Sequence, residues 1–218
     1  MEKPTPERPS ILQPSGGYEK LVSYQVAKLL YDVTVRFVDR YIPAGSRTAD
    51  QMEQAARSGV RNIAEGSKIS ATTKKLEMNL TSVARASIDE LRKDYESFLE
   101  QRKLPVWAPM DPRRKELSNA RCKDPDEVAL WIKALWGREQ EQRLQAVEGP
   151  RTAHTPRTVK DRTYAEISAN VGQTLCNIVL HLLDKQVDSQ ARAFEKEGGF
   201  SERLYKMRKA TLKDGLCS

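Results

Sequence analysis

The stretch Arg57-Ser58-Gly59-Val60-Arg61-Asn62-Ile63-Ala64-Glu65-Gly66 decides how this chain of 218 residues folds. Small residues at Ala55, Ala56, Ser58, Gly59 and Ala64 let a neighbouring helix approach closely. Arg57 and Arg61 lie one helical turn apart and project from one face together. Asn62-Ile63-Ala64-Glu65-Gly66 then reads as a helix end, with glycine as the C-terminal stop. Together they predict a tightly packed helical bundle carrying a basic strip, and a binding protein rather than an enzyme.

On either side the apolar residues keep helical spacing. A first helix is expected from about Tyr18 to Tyr41, with Leu21, Val22, Val26, Leu29, Leu30, Val33, Phe37 and Val38 apolar. Tyr24, Ala27, Tyr31 and Val35 add a second stripe. One stripe suffices to cover a monomeric core. Two predict burial on two sides, which makes Tyr24, Tyr31 and Val35 the candidate contacts to another subunit. Pro43 and Gly45 end this helix. A second starts near Ser46 to Thr48, where Thr48 and Gln51 have capping-box spacing. Its inner face is Met52, Ala55, Ala56, Gly59 and Ile63, and Arg57, Arg61 and Lys68 follow on an outer face that Glu65 interrupts. A third runs from about Thr72 to Glu100 on Leu76, Leu80, Val83, Ala84, Ile88, Leu91, Tyr95 and Phe98, with Lys75, Met78, Arg85 and Arg92 near another face. Short turns between long helices imply antiparallel neighbours.

Residues 103 to 162 differ in character. Leu104 to Pro109 and Asp111 to Lys115 read as an irregular connection. Asp124-Pro125-Asp126-Glu127 is a helix start, followed by Val128, Trp131, Ile132, Leu135 and Trp136 on a short amphipathic helix. Gly149 to Arg162 reads as a basic, threonine-rich loop. A fourth long helix is expected from Thr163, capped with Glu166, with Tyr164, Ile167, Val171, Leu175, Ile178, Leu182 and Leu183 facing inward. It continues through Val187 and Phe194 to Gly198-Gly199. The expected fold is all-α: an up-down antiparallel four-helix bundle with a helical insertion between helices 3 and 4 and an extended C-terminal helix. Its segments are a flexible leader at 1–17, three helices at 18–102, the insertion at 103–162, the fourth helix and its suffix at 163–200 and a flexible basic tail at 201–218.

The formal net charge is +7, which favours anionic partners. It is unevenly spread. Residues 18–100 hold 13 basic and 12 acidic residues, whereas 101–162 hold 14 and 9. A basic patch on the bundle must therefore come from geometry rather than bulk charge. Cys122, Cys176 and Cys217 are widely spaced with no CxxC pair, which supports neither a disulfide framework nor a zinc site and fits a reducing cytoplasm. No apolar run reaches the roughly 20 residues of a membrane span. Residues 1–15 lack the apolar segment of a signal peptide.

Tyr18-Glu19-Lys20-Leu21, Val60-Arg61-Asn62-Ile63-Ala64-Glu65-Gly66 and the third helix resemble the four-helix-bundle proteins encoded in intervening sequences of bacterial 23S ribosomal RNA genes. Asn62 to Gly66 carries most of that resemblance. The accessory variability determinant of diversity-generating retroelements is a relative of the same fold. Leu182-Leu183-Asp184-Lys185-Gln186 and Phe194 to Leu204 are similar to the subgroup with a four-helix-bundle suffix. The resemblance spans roughly 18–100 and 163–204 and leaves out the tryptophan-containing insertion. It implies a homopentameric, barrel-like assembly whose basic surface contacts nucleic acid. In the retroelement relative the protein associates with a reverse transcriptase and RNA. It carries over no catalytic residue.

Catalytic patterns are sparse. His154 lies in the expected loop and His181 on the fourth helix, and neither has a second ligand at metal spacing. Cys176 and His181 are five apart, about 140° around a helix, which does not make a nucleophile pair. Asp89 and Glu90 are adjacent and diverge, and no phosphate-binding glycine motif occurs. Trp107, Trp131 and Trp136 either pack on the bundle or, for Trp131 and Trp136, stack on single-stranded bases. Arg57, Arg61, Lys68, Lys74, Lys75, Arg85 and Arg92 serve either as solvated ion-pair partners or as phosphate contacts. The expectation is a cytoplasmic, non-catalytic homo-oligomer, with no metal or cofactor, that binds RNA or DNA electrostatically as an accessory or scaffold. The alternative is a protein-interaction adaptor, for example for a reverse transcriptase.

Overall fold

The computed structural model describes residues 17–70, 73–146 and 157–197, together with 204–205 and 208–209. Among the described residues all regular structure is helical. Helix α1 is Val22–Tyr41, α2 Arg47–Ile69, α3 Lys74–Gln101, α4 Pro112–Ala120, α5 Pro125–Ala146 and α6 Arg157–Glu197. No helix among the described residues is long and apolar enough to cross a membrane. The expected leader is described only at Gly17, and the expected tail only at 204–205 and 208–209. His154 and Cys217 also lie outside the described residues.

Several boundaries differ from those expected, each for a local reason. Tyr18–Lys20 is a separate 3-10 turn, and Leu21 is extended before α1 begins. Ser46 rather than Thr48 caps α2, accepting a hydrogen bond from the Ala49 N–H at 3.2 Å. Pro112–Ala120, within the expected irregular connection, is a helix whose Asp111 carboxylate accepts the Arg113 N–H, with Pro112 at its start. Helix α6 starts at Arg157, so Thr163 and Glu166 sit inside it and do not cap it. Gly66 does not end α2, which runs on to Ile69. Gly66 is instead buried, and a Cβ there would lie 3.4 Å from the Glu77 carbonyl oxygen and the Leu80 Cβ. The glycine serves close approach, not termination.

Helix α3 packs against α2 and α6, and α1 packs against the same two. Direction follows from the contacts. Gly59 meets Ile88 while Gly66 meets Glu77, so α2 and α3 run oppositely. Thr81 bonds Gln190 while Tyr95 meets Gly172, so α3 and α6 do too. Helix α5 lies on α6 and α1, and α4 lies on α6. Leu30, Met52, Ile63, Ile88, Leu91, Ile167 and Leu183 are fully buried between the long helices. The inner face of α3 is rotated from the expected one at its start. Leu76 and Val83 are 41% and 48% exposed, and Glu77 and Thr81 turn inward instead. Gln190 Nε2 donates to both Glu77 Oε1 and Thr81 Oγ1 at 3.1 Å, which offsets the cost of burying them.

The centre of the core is Tyr95. It is fully buried, its hydroxyl pairs with Thr34 at 3.0 Å, and its ring meets Phe37 edge-on at 4.9 Å. Its ring lies against Gly172, where an added Cβ would fall inside the ring's van der Waals shell. The Gly172→Ala variant is expected to lose about 1–3 kcal/mol through overpacking. Urea denaturation of the two proteins measures that loss.

Candidate nucleic-acid interface

The basic residues divide between two surfaces. On α2, Arg57, Arg61 and Lys68 are all exposed. The ammonium of Lys68 lies 5.2 Å from the Tyr18 ring centroid, and Tyr18 packs edge-on against Tyr24 at 4.8 Å. The strip therefore faces the α1 side of α2. The opposite flank of α2 faces α3, where the Ser58 and Ser87 hydroxyls meet at 3.0 Å. Arg57 and Arg61 have no ion-pair partner among the described residues.

The α3 cations are placed otherwise. Arg85 pairs with Asp184 of α6, and Lys74 pairs with Glu77 at 3.1 Å. Arg92 bonds Asp89 at 2.8 Å and approaches Glu96 at 3.8 Å. The Arg92 bonds hold the Asp89 carboxyl below the usual carboxylate range. Lys75 is exposed. Lys74 and Arg85 thus lie toward α6 and do not join Arg57 and Arg61 in one patch. The four-residue spacing is legible in sequence; which flank each helix turns to its neighbour is not.

The tryptophans pack. Trp107 is buried, with the Arg113 guanidinium 4.4 Å from its ring centroid. Its backbone N–H donates to Asn170 Oδ1 at 2.8 Å, and Asn170 Nδ2 donates to the Pro105 carbonyl at 2.9 Å. Arg114 donates to the Trp107 carbonyl and to Gln173 Oε1. This knot fastens the connection after α3 onto α6. Trp136 stacks on Tyr164 at 4.9 Å, which occupies one face of its indole. Trp131 is half-buried against the core. Tyr24, Tyr31 and Val35 are half-buried along α1 within a single chain. Seven residues separate Tyr24 from Tyr31, so both rings share the flank of α1 that Tyr18 and Lys68 mark.

One basic cluster escapes the sequence reading. Arg40, Arg102 and Lys103 line a recess of about 750 Å³ with Tyr41, Phe98 and Tyr164. The Arg102 guanidinium lies 3.8 Å from the Phe98 ring centroid and donates to the Tyr41 carbonyl at 3.5 Å. Burial lowers its pKa. The signal is their place at the ends of α1 and α3, where cations compensate the helix dipole, which also accounts for them structurally.

Cys176 is fully buried, and burial pushes its thiol well above the ordinary range, whereas His181 is exposed. Among the described residues no group of three or more His, Cys, Asp or Glu is placed to hold a metal. Comparison with protein-family models, with curated proteins and with solved structures finds no match.

Asp94 of α3 carries an unfavourable burial of charge. Its Oδ2 is buried without a hydrogen-bond partner, and burial, then the charge of Glu90, raises its pKa. Folding therefore favours the protonated acid. Asp94 costs nothing below the ordinary carboxylate range and destabilises as pH rises through its raised pKa. Asp94→Asn is expected to match the native chain near pH 3 and to gain stability over it as pH rises above about 4. Urea midpoints measured across that range give the difference.

Proposed function

We propose that this chain is a non-catalytic accessory protein that binds RNA or DNA through the α2 strip. The observation that carries the reading is the pair Arg57 and Arg61, exposed one turn apart with no carboxylate partner among the described residues, while Lys74, Arg85 and Arg92 are ion-paired. Side chains already paired must break a contact to meet a phosphate, whereas unpaired arginines gain charge-assisted bonds outright. Lys68 extends the strip, with its ammonium over the Tyr18 ring. In this reading α1, α2, α3 and α6 form an up-down antiparallel four-helix bundle, supported by the closed ring of contacts among them. The resemblance of Asn62 to Gly66 to the intervening-sequence proteins adds a homopentameric assembly, which repeats the strip five times and sums weak contacts through multivalency.

Binding of this kind is sequence-tolerant and weakens with salt, because phosphate neutralisation releases counterions. Arg57→Glu with Arg61→Glu is expected to reduce affinity for single-stranded RNA by at least about tenfold at low salt and to flatten the salt dependence. Arg85→Glu is expected to have a smaller effect. Filter binding across a salt titration, with circular dichroism as the folding control, measures both; unchanged affinity in the double variant overturns the reading. Light scattering of the native chain is expected to give a mass of several protomers, and a monomer at the concentrations where RNA binds removes the multivalent part.

A further inference from the structure

The face of the molecule formed by α1 and α6 is covered along only part of its length. Near the Trp107 knot, α5 packs on α1 and α6 and buries its own Val128 and Leu135, leaving a recess of about 660 Å³ beside Val33, Phe37 and Tyr164. Arg36 of α1 pairs with Asp126 at the start of α5, and Arg138 of α5 pairs with Glu116 of α4, which joins α4, α5 and α1 there. Beyond the end of α4 the cover stops. There a groove of about 840 Å³ opens, floored by Val26, Leu29, Leu175, Ile178 and Leu182, with Leu117 of α4 closing one end. Val22 on its margin is 57% exposed, although it belongs to the same apolar stripe that α5 covers further along.

The groove has a charged end. Arg121 and Lys123, in the turn between α4 and α5, line it, are exposed and have no carboxylate partner among the described residues. Among the described residues no carboxylate lines the groove; Glu127, engaged with the Lys123 backbone N–H, and Asp124 lie behind the turn, near enough that, after burial, their charges raise the Cys122 pKa.

We propose that this open groove receives an amphipathic helix of a partner protein, apolar on one face and acidic at the end that meets Arg121 and Lys123. The occupant is a helix because the same two-helix face already accepts α4 and α5, and the groove continues that interface. Its acidity follows from a lining with two unpaired cations and no anion. The chain's own segments fit poorly. Residues 198–218 carry Arg203, Lys206, Arg208, Lys209 and Lys213 against Glu202 and Asp214, and residues 1–16 contain four prolines.

The test uses the full chain and two fluorescein-labelled synthetic helices of about four turns, with leucines at helical spacing. One carries flanking glutamates and its twin carries lysines. Fluorescence anisotropy is expected to show the glutamate peptide binding at least about tenfold more tightly than its twin. Val22→Arg, an exposed position that leaves the core intact, is expected to weaken it by about tenfold or more, and Arg121→Glu with Lys123→Glu to reverse the preference. Cys122 also lines the groove, so bound peptide is expected to slow its alkylation. No binding of the glutamate peptide, equal binding of the two, or indifference to Val22→Arg overturns the proposal. So does a fall in solution mass on Val22→Arg, which assigns the groove to a second copy. Binding only after removal of residues 198–218 assigns it to the chain's own tail, and overturns it likewise.

Discussion

Close approach of backbones across α3 is the constraint on which the structure depends. On one side, α2 presents Gly59 and Gly66 to Ile88 and to the Glu77–Thr81 turn. On the other, α6 presents Gly172 to the ring of Tyr95. A Cβ at Gly59 would lie 2.5 Å from the Ile88 Cδ1, so α2 sits nearer to α3 than ordinary side chains permit. Interiors pack at crystal density, and bulk added at such contacts has nowhere to go. The large residues therefore come from α3 and the small ones from its neighbours. Tyr95 fills the space that Gly172 leaves and uses its hydroxyl to reach Thr34 on α1, so three of the four long helices meet at one side chain.

The polar chemistry of the chain is arranged around that packing. At one end of α3, Glu77 and Thr81 share Gln190, while Ser23 donates to Gln186 at 2.7 Å, so α1, α3 and α6 are joined by hydrogen bonds where apolar contact thins out. At the other end, Asn170 and Arg114 fasten Trp107 to α6, and the insertion departs from that point. Most α3 cations are held in ion pairs. Arg57 and Arg61 on α2, and Arg121 and Lys123 at the turn after α4, have no carboxylate partner among the described residues, and those are the two surfaces on which partner binding is proposed. They face different sides of the molecule, so a nucleic acid and a helix need not compete.

Much of this is legible in the order of residues. The helical spacing of α1 and α2 locates most of their buried faces, and the small residues of α2 foretell a close neighbour; on α6, Ile178 and Leu182, expected to face inward, are half-buried and floor the open groove. The Asp-Pro start of α5 is plain in the sequence, yet the same signature at Asp111-Pro112 is masked by surrounding prolines and arginines that suggest an irregular connection. Gly66 looks like a stop, since glycine commonly ends helices; its role in packing depends on Leu80, which the local sequence does not reveal. Leu76 and Val83 fit the periodic pattern of α3 but point outward, because a helix's apolar stripe is wider than the seam that its neighbours cover.

Local spacing, then, determined that the chain is helical, roughly where each long helix lies, and that Arg57, Arg61 and Lys68 share a face. These are properties of residues within a few turns of one another, fixed by the helix repeat alone. Tertiary structure alone decided which flank of each helix is turned to a neighbour, and hence which cations find carboxylates. Arg85 and Asp184 are ninety-nine positions apart, and only the packing of α3 on α6 brings them together. The pairing that, among the described residues, leaves Arg57 and Arg61 unmatched, and the length of groove that α4 and α5 leave open, have the same physical origin: contacts between distant segments are set by how faces fit, not by spacing along the chain.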